Sequence, residues 1–111
     1  GSYFDVADSL DSRGVFVDLG PDAKKPMKLY RISGVENIYK GSSPSRWKVF
    51  GSKDGESWHL IDSREVANLS SGLRKFDSFY VGSSEINRYY KFKFSSKSGA
   101  KSISELEIYL Q

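Results

Sequence analysis

Acid-base or nucleophilic catalysis needs a reactive side chain with a base beside it, and this 111-residue chain carries few of the parts. Its one histidine is His59, in Trp58-His59-Leu60, and it has no cysteine. Strand alternation sends His59 to the opposite face from its two apolar neighbours, and no Ser/His/Asp or Cys/His set stands ready to join it. The expectation is a surface strand residue and no enzymatic activity. Without cysteine there is neither a disulfide framework nor a thiolate metal site.

Two other groups of residues bear chemistry. Tyr3 to Arg13 reads Tyr-Phe-Asp-Val-Ala-Asp-Ser-Leu-Asp-Ser-Arg, three aspartates interleaved with hydroxyl residues. By itself it is an irregular loop held by side chain to backbone hydrogen bonds of the Asx type. Arg88-Tyr89-Tyr90-Lys91-Phe92-Lys93-Phe94 sets lysines among aromatics, the raw material of a surface for single-stranded nucleic acid. Alternation places Tyr90, Phe92 and Phe94 on one face and Lys91 and Lys93 on the other, so stacking and charge would part company. A solvated sheet face is expected there, and nucleic acid is not an expected partner. The overall charge agrees, since 17 basic and 14 acidic residues leave a net charge of only +3.

The elements that position these residues are strands. Aromatics are 14% of the chain, with one Met, a composition suited to pleated, half-buried surfaces. Val15-Phe16-Val17-Asp18-Leu19 is a strand released by Gly14 and ended by Gly20-Pro21-Asp22. Met27 to Ser33 is a second, in which Tyr30 and Ile32 or Leu29 face inward, its poor alternation leaving the face open. Trp47 to Gly51, a Ser52 to Ser57 connection and Trp58 to Ile61 form a β-hairpin, with turn chemistry from Lys53-Asp54-Gly55. One helical turn is expected around Glu65 to Leu69, then a short strand over Phe76 to Val81. The chain closes with Arg88 to Phe94 and Ser102 to Leu110, the latter turning Leu106, Ile108 and Leu110 inward. Roughly seven short strands punctuated by turns predict an all-β sandwich. The length fits one domain, residues 3 to 111, after a Gly1-Ser2 pair that reads as a tag remnant. No apolar run reaches the length of a membrane span.

Three pieces resemble the discoidin domain, or coagulation factor type C domain, of the galactose-binding-like superfamily that includes the family 32 carbohydrate-binding modules. Phe4-Asp5 followed by Val15-Phe16-Val17-Asp18-Leu19-Gly20 is similar to the family's Phe-Asp-Gly loop and Val-Asp-Leu-Gly strand. Pro44-Ser45-Arg46-Trp47-Lys48-Val49-Phe50-Gly51-Ser52-Lys53-Asp54-Gly55-Glu56-Ser57-Trp58 is similar to its central hairpin, with Asp62-Ser63-Arg64-Glu65 behind it. Arg88-Tyr89-Tyr90 and Ile103-Ser104-Glu105-Leu106-Glu107-Ile108-Tyr109 resemble its closing strands.

The resemblance implies a jelly-roll sandwich of about seven or eight antiparallel strands, short at the N-terminus by family standards, with Trp47 and Trp58 anchoring the core. It implies a structural calcium ion held by Asp5, by Asp8 or its neighbour Ser9, and by Glu105. It also implies a ligand face where three loops converge: Val6 to Arg13, Gly34 to Ser45 and Ser95 to Lys101. Tyr39 is the aromatic available there as a stacking platform, with Arg13, Glu36, Asn37 and Lys40 as partners for hydroxyl groups. The galactose-type His is absent from these loops, so simple galactose is not the expected ligand.

The function implied is a non-catalytic glycan-binding module of a larger extracellular or cell-surface protein. The alternative is a protein-interaction or architectural module that packs on neighbouring domains and has no sugar site. A membrane partner would need apolar spikes in the loops, where only Leu10, Val35 and Ile38 are on offer.

Overall fold

A computed structural model describes residues 3–6, 14–34, 46–67, 69–70, 75–95 and 103–111. Eight strands account for the described elements: β1 (Tyr3–Val6), β2 (Val15–Asp18), β3 (Met27–Gly34), β4 (Arg46–Ser52), β5 (His59–Glu65), β6 (Asp77–Tyr80), β7 (Tyr89–Ser95) and β8 (Ile103–Leu110). They form two four-stranded antiparallel sheets, ordered β1-β8-β3-β6 and β2-β7-β4-β5. Apart from the β4–β5 hairpin, successive strands pass from one sheet to the other, and the last lies between the first and third. This is the double Greek-key order of a jelly roll.

Alternation builds the core as the sequence predicts. Tyr90, Phe92 and Phe94 are buried on β7, and Leu106, Ile108 and Leu110 on β8. Val15 and Val17 of β2 and Trp47 and Val49 of β4 complete the inner face of the second sheet. The open question on β3 is resolved by a bulge. Register shifts between Met27 and Leu29, so Lys28 is an extra residue and Met27, Tyr30 and Ile32 all reach the core. Tyr30 and Phe92 meet edge to face across the sheets, ring centroids 5.2 Å apart.

A buried polar chain also joins the sheets. Trp47 Nε1 donates to the Tyr30 hydroxyl at 2.7 Å, and that hydroxyl donates to Asp62 Oδ2 at 2.6 Å. Arg64 Nε donates to both Asp62 oxygens, at 3.1 and 2.9 Å, and its terminal nitrogen reaches the Tyr80 carbonyl at 2.7 Å. Burial, together with the Asp62 carboxylate, holds the Tyr30 phenol far above its ordinary pKa, so it remains a donor throughout the accessible pH range.

The hairpin differs from expectation at three points. β4 runs on through Ser52, so the connection begins at Lys53. There Asp54 Oδ1 accepts from the Glu56 and Ser57 N–H groups at 2.8 and 2.9 Å, while Ser52 Oγ accepts from Gly55 at 2.8 Å. Trp58 precedes β5 and is half-buried on the outer side of the sheet, so it is no core anchor. Finally, β5 continues to Glu65 in place of the expected helical turn over Glu65 to Leu69, and no helix occurs among the described residues. Pairing of Trp47 with Arg64 and Arg46 with Glu65 gives that segment the backbone partners a single turn would lack. A bulge at Ile61, between the Val49–Asp62 and Phe50–Leu60 pairs, turns Leu60 outward.

Candidate functional site

Register places the ends of several strands together. Val6 leads out of β1 beside Leu106, Gly34 leaves β3 opposite Ile103, and Arg46 enters β4 opposite Ser95, the last residue of β7. These are the described residues flanking the three loops expected to converge. Gly34 is tied in place, its N–H donating to the Ser70 carbonyl at 2.7 Å. Ser70 in turn gives its N–H and hydroxyl to the Asp77 carboxylate at 2.7 and 2.8 Å.

Of the expected ligand residues, Arg13, Glu36, Asn37, Tyr39 and Lys40 lie outside the described residues, as do Asp8 and Ser9 of the expected calcium set. Asp5 pairs with Glu107, and Glu105, two residues from Glu107 along β8, falls on the same sheet face. The strands thus bring the Asp5 and Glu105 positions into a diagonal relation about 7–8 Å apart at the backbone. Among the described residues, no group of three His, Cys, Asp or Glu side chains is clustered in a way that could hold a metal ion.

Beside this end, on the outer face of the second sheet, lies a cleft of about 410 Å³ lined by Arg46, Lys48, Ser63, Glu65, Lys93 and Ser95, with Trp47, Arg64 and Phe94 contributing from below. Its outward residues follow from register. Lys93 of β7 stands opposite Lys48 of β4, which stands opposite Ser63 of β5; in the next row Ser95, Arg46 and Glu65 are aligned. Like charges directly opposite across a sheet cost stability.

The row on the other side of Lys48 and Lys93 runs across the whole sheet as Phe16, Lys91, Phe50 and Leu60. Phe16 is 57% exposed and Leu60 52%. Trp58 sits edge-on to Phe16 at 5.8 Å, and the Tyr89 ring is tilted against Phe16, also at 5.8 Å. Lys91 Nζ lies 4.3 Å from the Trp58 ring centre and 5.8 Å from that of Phe50, and Lys93 Nζ lies 5.7 Å from Phe50. Such cation–π contacts are worth about 0.5–1 kcal/mol each where exposed, enough to bias the ammonium groups toward fixed positions.

The expectation that charge and aromatics would lie on opposite faces is therefore corrected. Phe92 and Phe94 do turn inward, but Phe16, Phe50, Trp58 and Tyr89 come from other strands or other positions to the lysine side. The signal lay in Val15-Phe16-Val17 and Trp47-Lys48-Val49-Phe50, where alternation already turns Phe16, Lys48 and Phe50 outward; what it lacked was which strands are neighbours.

His59 is half-buried on β5, where its imidazole meets the Glu85 carboxylate. Asp18, at the opposite end, accepts two hydrogen bonds from Arg88 at 2.7 and 3.0 Å and one from the Gly20 N–H at 2.8 Å. Those bonds hold its pKa below the ordinary aspartate value.

No protein-family model matches the chain, and comparison with curated proteins returned no match. What the fold and the site define is a class: an eight-stranded jelly-roll sandwich with a basic, aromatic-edged outer face. No helix among the described residues is long and apolar enough to cross a membrane.

Proposed function

We propose that the protein is a non-catalytic binding module for glycans, of the discoidin type, acting outside the cell as part of a larger protein. The ligand sits at the end of the sandwich where Val6, Gly34, Arg46, Ser95 and Ile103 lead into the three loops, with Tyr39 as the stacking ring and Arg13, Glu36, Asn37 and Lys40 meeting hydroxyl groups. What supports this is the 410 Å³ cleft next to those strand ends, whose hydroxyl, carboxylate and cationic groups, Ser63, Ser95, Glu65 and Arg46, are the kinds that bond sugar hydroxyls. A structural calcium ion held by Asp5, Asp8 or Ser9, and Glu105 belongs to the same proposal, as rigid support for the Val6 to Arg13 loop. Catalysis is no part of it: His59 is engaged with Glu85 on the surface.

A broad glycan array followed by titration of each hit tests the assignment. The expected result is saturable binding that Tyr39→Ala weakens at least tenfold, about 1.4 kcal/mol. Absence of any glycan hit, or full binding by the alanine variant, would favour the protein-interaction alternative. One observation speaks for that alternative: a separate cleft of about 530 Å³ at the other end of the first sheet is lined by Leu29, Tyr109 and Tyr80, the last 66% exposed.

A further inference from the structure

We infer that the outer face of the β2-β7-β4-β5 sheet is a docking surface for an acidic polysaccharide, one bearing carboxylate or sulfate groups along an extended chain. This rests on the glycan reading and names the chemical class of the ligand. Four cations, Arg46, Lys48, Lys91 and Lys93, occupy adjacent positions on three successive rows of the face. Among the described residues, no carboxylate lies within ion-pair distance of any of them. Neighbouring strands are about 4.8 Å apart and alternate residues about 7 Å, so the positive charges repeat at intervals comparable to the length of one sugar residue. Lys48 and Lys93 face each other directly, an arrangement that repels in the free protein and is relieved when an anion lies between them.

The aromatic groups decide between a polysaccharide and single-stranded nucleic acid. Base binding needs successive open rings on which bases stack. Here the faces of Phe50 and Trp58 are taken by the ammonium groups of Lys91 and Lys93, which leaves Phe16 as the one widely exposed ring among them. A surface with several pre-positioned ammonium groups, a hydroxyl-lined cleft and a single open ring suits a chain of sugars. Anionic substituents meet the lysines, and one apolar pyranose face lies on Phe16. The hydroxyl groups of Ser63 and Ser95 and the cationic Arg46 in the cleft carry the same track on to the loop end.

The test is titration of the whole domain with a heparin oligosaccharide, an oligogalacturonate, an uncharged oligogalactan and oligo-dT, at low and at physiological salt. The parent is expected to bind one or both acidic oligosaccharides, with affinity that falls as salt rises. Lys91→Gln combined with Lys93→Gln should weaken that binding at least tenfold and flatten its salt dependence. Lys48→Glu should do the same through a different strand. Phe16→Ala should weaken binding with the salt dependence unchanged, a pattern that general loss of folding would not produce. The two acidic arms separate sulfate from carboxylate recognition. Binding of the uncharged glycan alone, or equal acidic binding by the lysine variants, would overturn the inference and leave the glycan reading standing. Failure of every oligosaccharide overturns the inference, while the broad glycan array decides the glycan reading. Tighter binding of oligo-dT, in competition with the acidic sugars, overturns it in favour of nucleic acid.

Discussion

Trp47 of one sheet hands its indole N–H to the Tyr30 hydroxyl of the other at 2.7 Å, and both side chains are almost wholly buried. The hydroxyl passes a hydrogen bond on to Asp62, which Arg64 neutralises. The two layers are thereby keyed in one relative position, since hydrophobic contact alone tolerates sliding and a directional bond does not.

Tyr30→Phe leaves the indole N–H buried without an acceptor and removes one donor from Asp62. The expected cost is about 1–3 kcal/mol in urea denaturation, with little change in the denaturant slope. Asp62→Asn and the double variant should show a coupling energy of about 0.5 kcal/mol or more. Strict additivity of the two would mean that the chain of bonds does not act as a unit.

Gly14 and Gly20 have nearly the same backbone, with φ of 95° and 92°, yet different surroundings. A Cβ on Gly14 would stand 2.1 Å from the Phe92 carbonyl oxygen, whereas on Gly20 it would meet nothing within 4 Å. Both alanine variants pay the left-handed backbone penalty of about 1–2 kcal/mol, and only Gly14→Ala must also push β2 away from β7. A markedly lower melting temperature for Gly14→Ala than for Gly20→Ala is expected.

Acid should act through Asp18 and Asp54. Arg88 and the Gly20 N–H lower the pKa of the first; the Ser57 and Glu56 N–H groups, and then Ser52, lower that of the second. A folded-state pKa below the unfolded value, about 3.9, means stability that is present in full above that pH and is lost as pH falls through the lower folded value. Melting temperature should therefore decline below about pH 4, and Asp18→Asn with Asp54→Asn should flatten that decline. An unchanged acid limb in the double variant would assign the loss to other carboxylates.

Calcium at saturating concentration should raise the melting temperature by several degrees and EDTA should reverse it. A hundredfold excess over Kd is worth about 2.7 kcal/mol. Glu105→Gln should abolish the shift. A parent protein indifferent to calcium would remove the ion from the proposed site.

The amino-acid order by itself determined which side chains are inward on β7 and β8. Period-two alternation in Tyr90-Lys91-Phe92-Lys93-Phe94 and Leu106-Glu107-Ile108-Tyr109-Leu110 is a local property, and the observed burial follows it. Turn chemistry was equally local, since Asp54 and Ser52 bond within a few residues of themselves. Three features were not legible in this way. The bulges at Lys28 and Ile61 shift the parity of β3 and β5 without any sequence mark of their own, because an extra residue is defined only against a partner strand. The family resemblance implies Trp58 as a second core anchor, but its position just outside β5 leaves it on the outer face. Above all, Lys91 comes to lie between Phe16 and Phe50, residues 75 and 41 positions away in the chain, only because β7 is inserted between β2 and β4. Alternation assigns a residue to a face; which other residues share that face is a matter of strand order, and strand order is decided by long-range pairing.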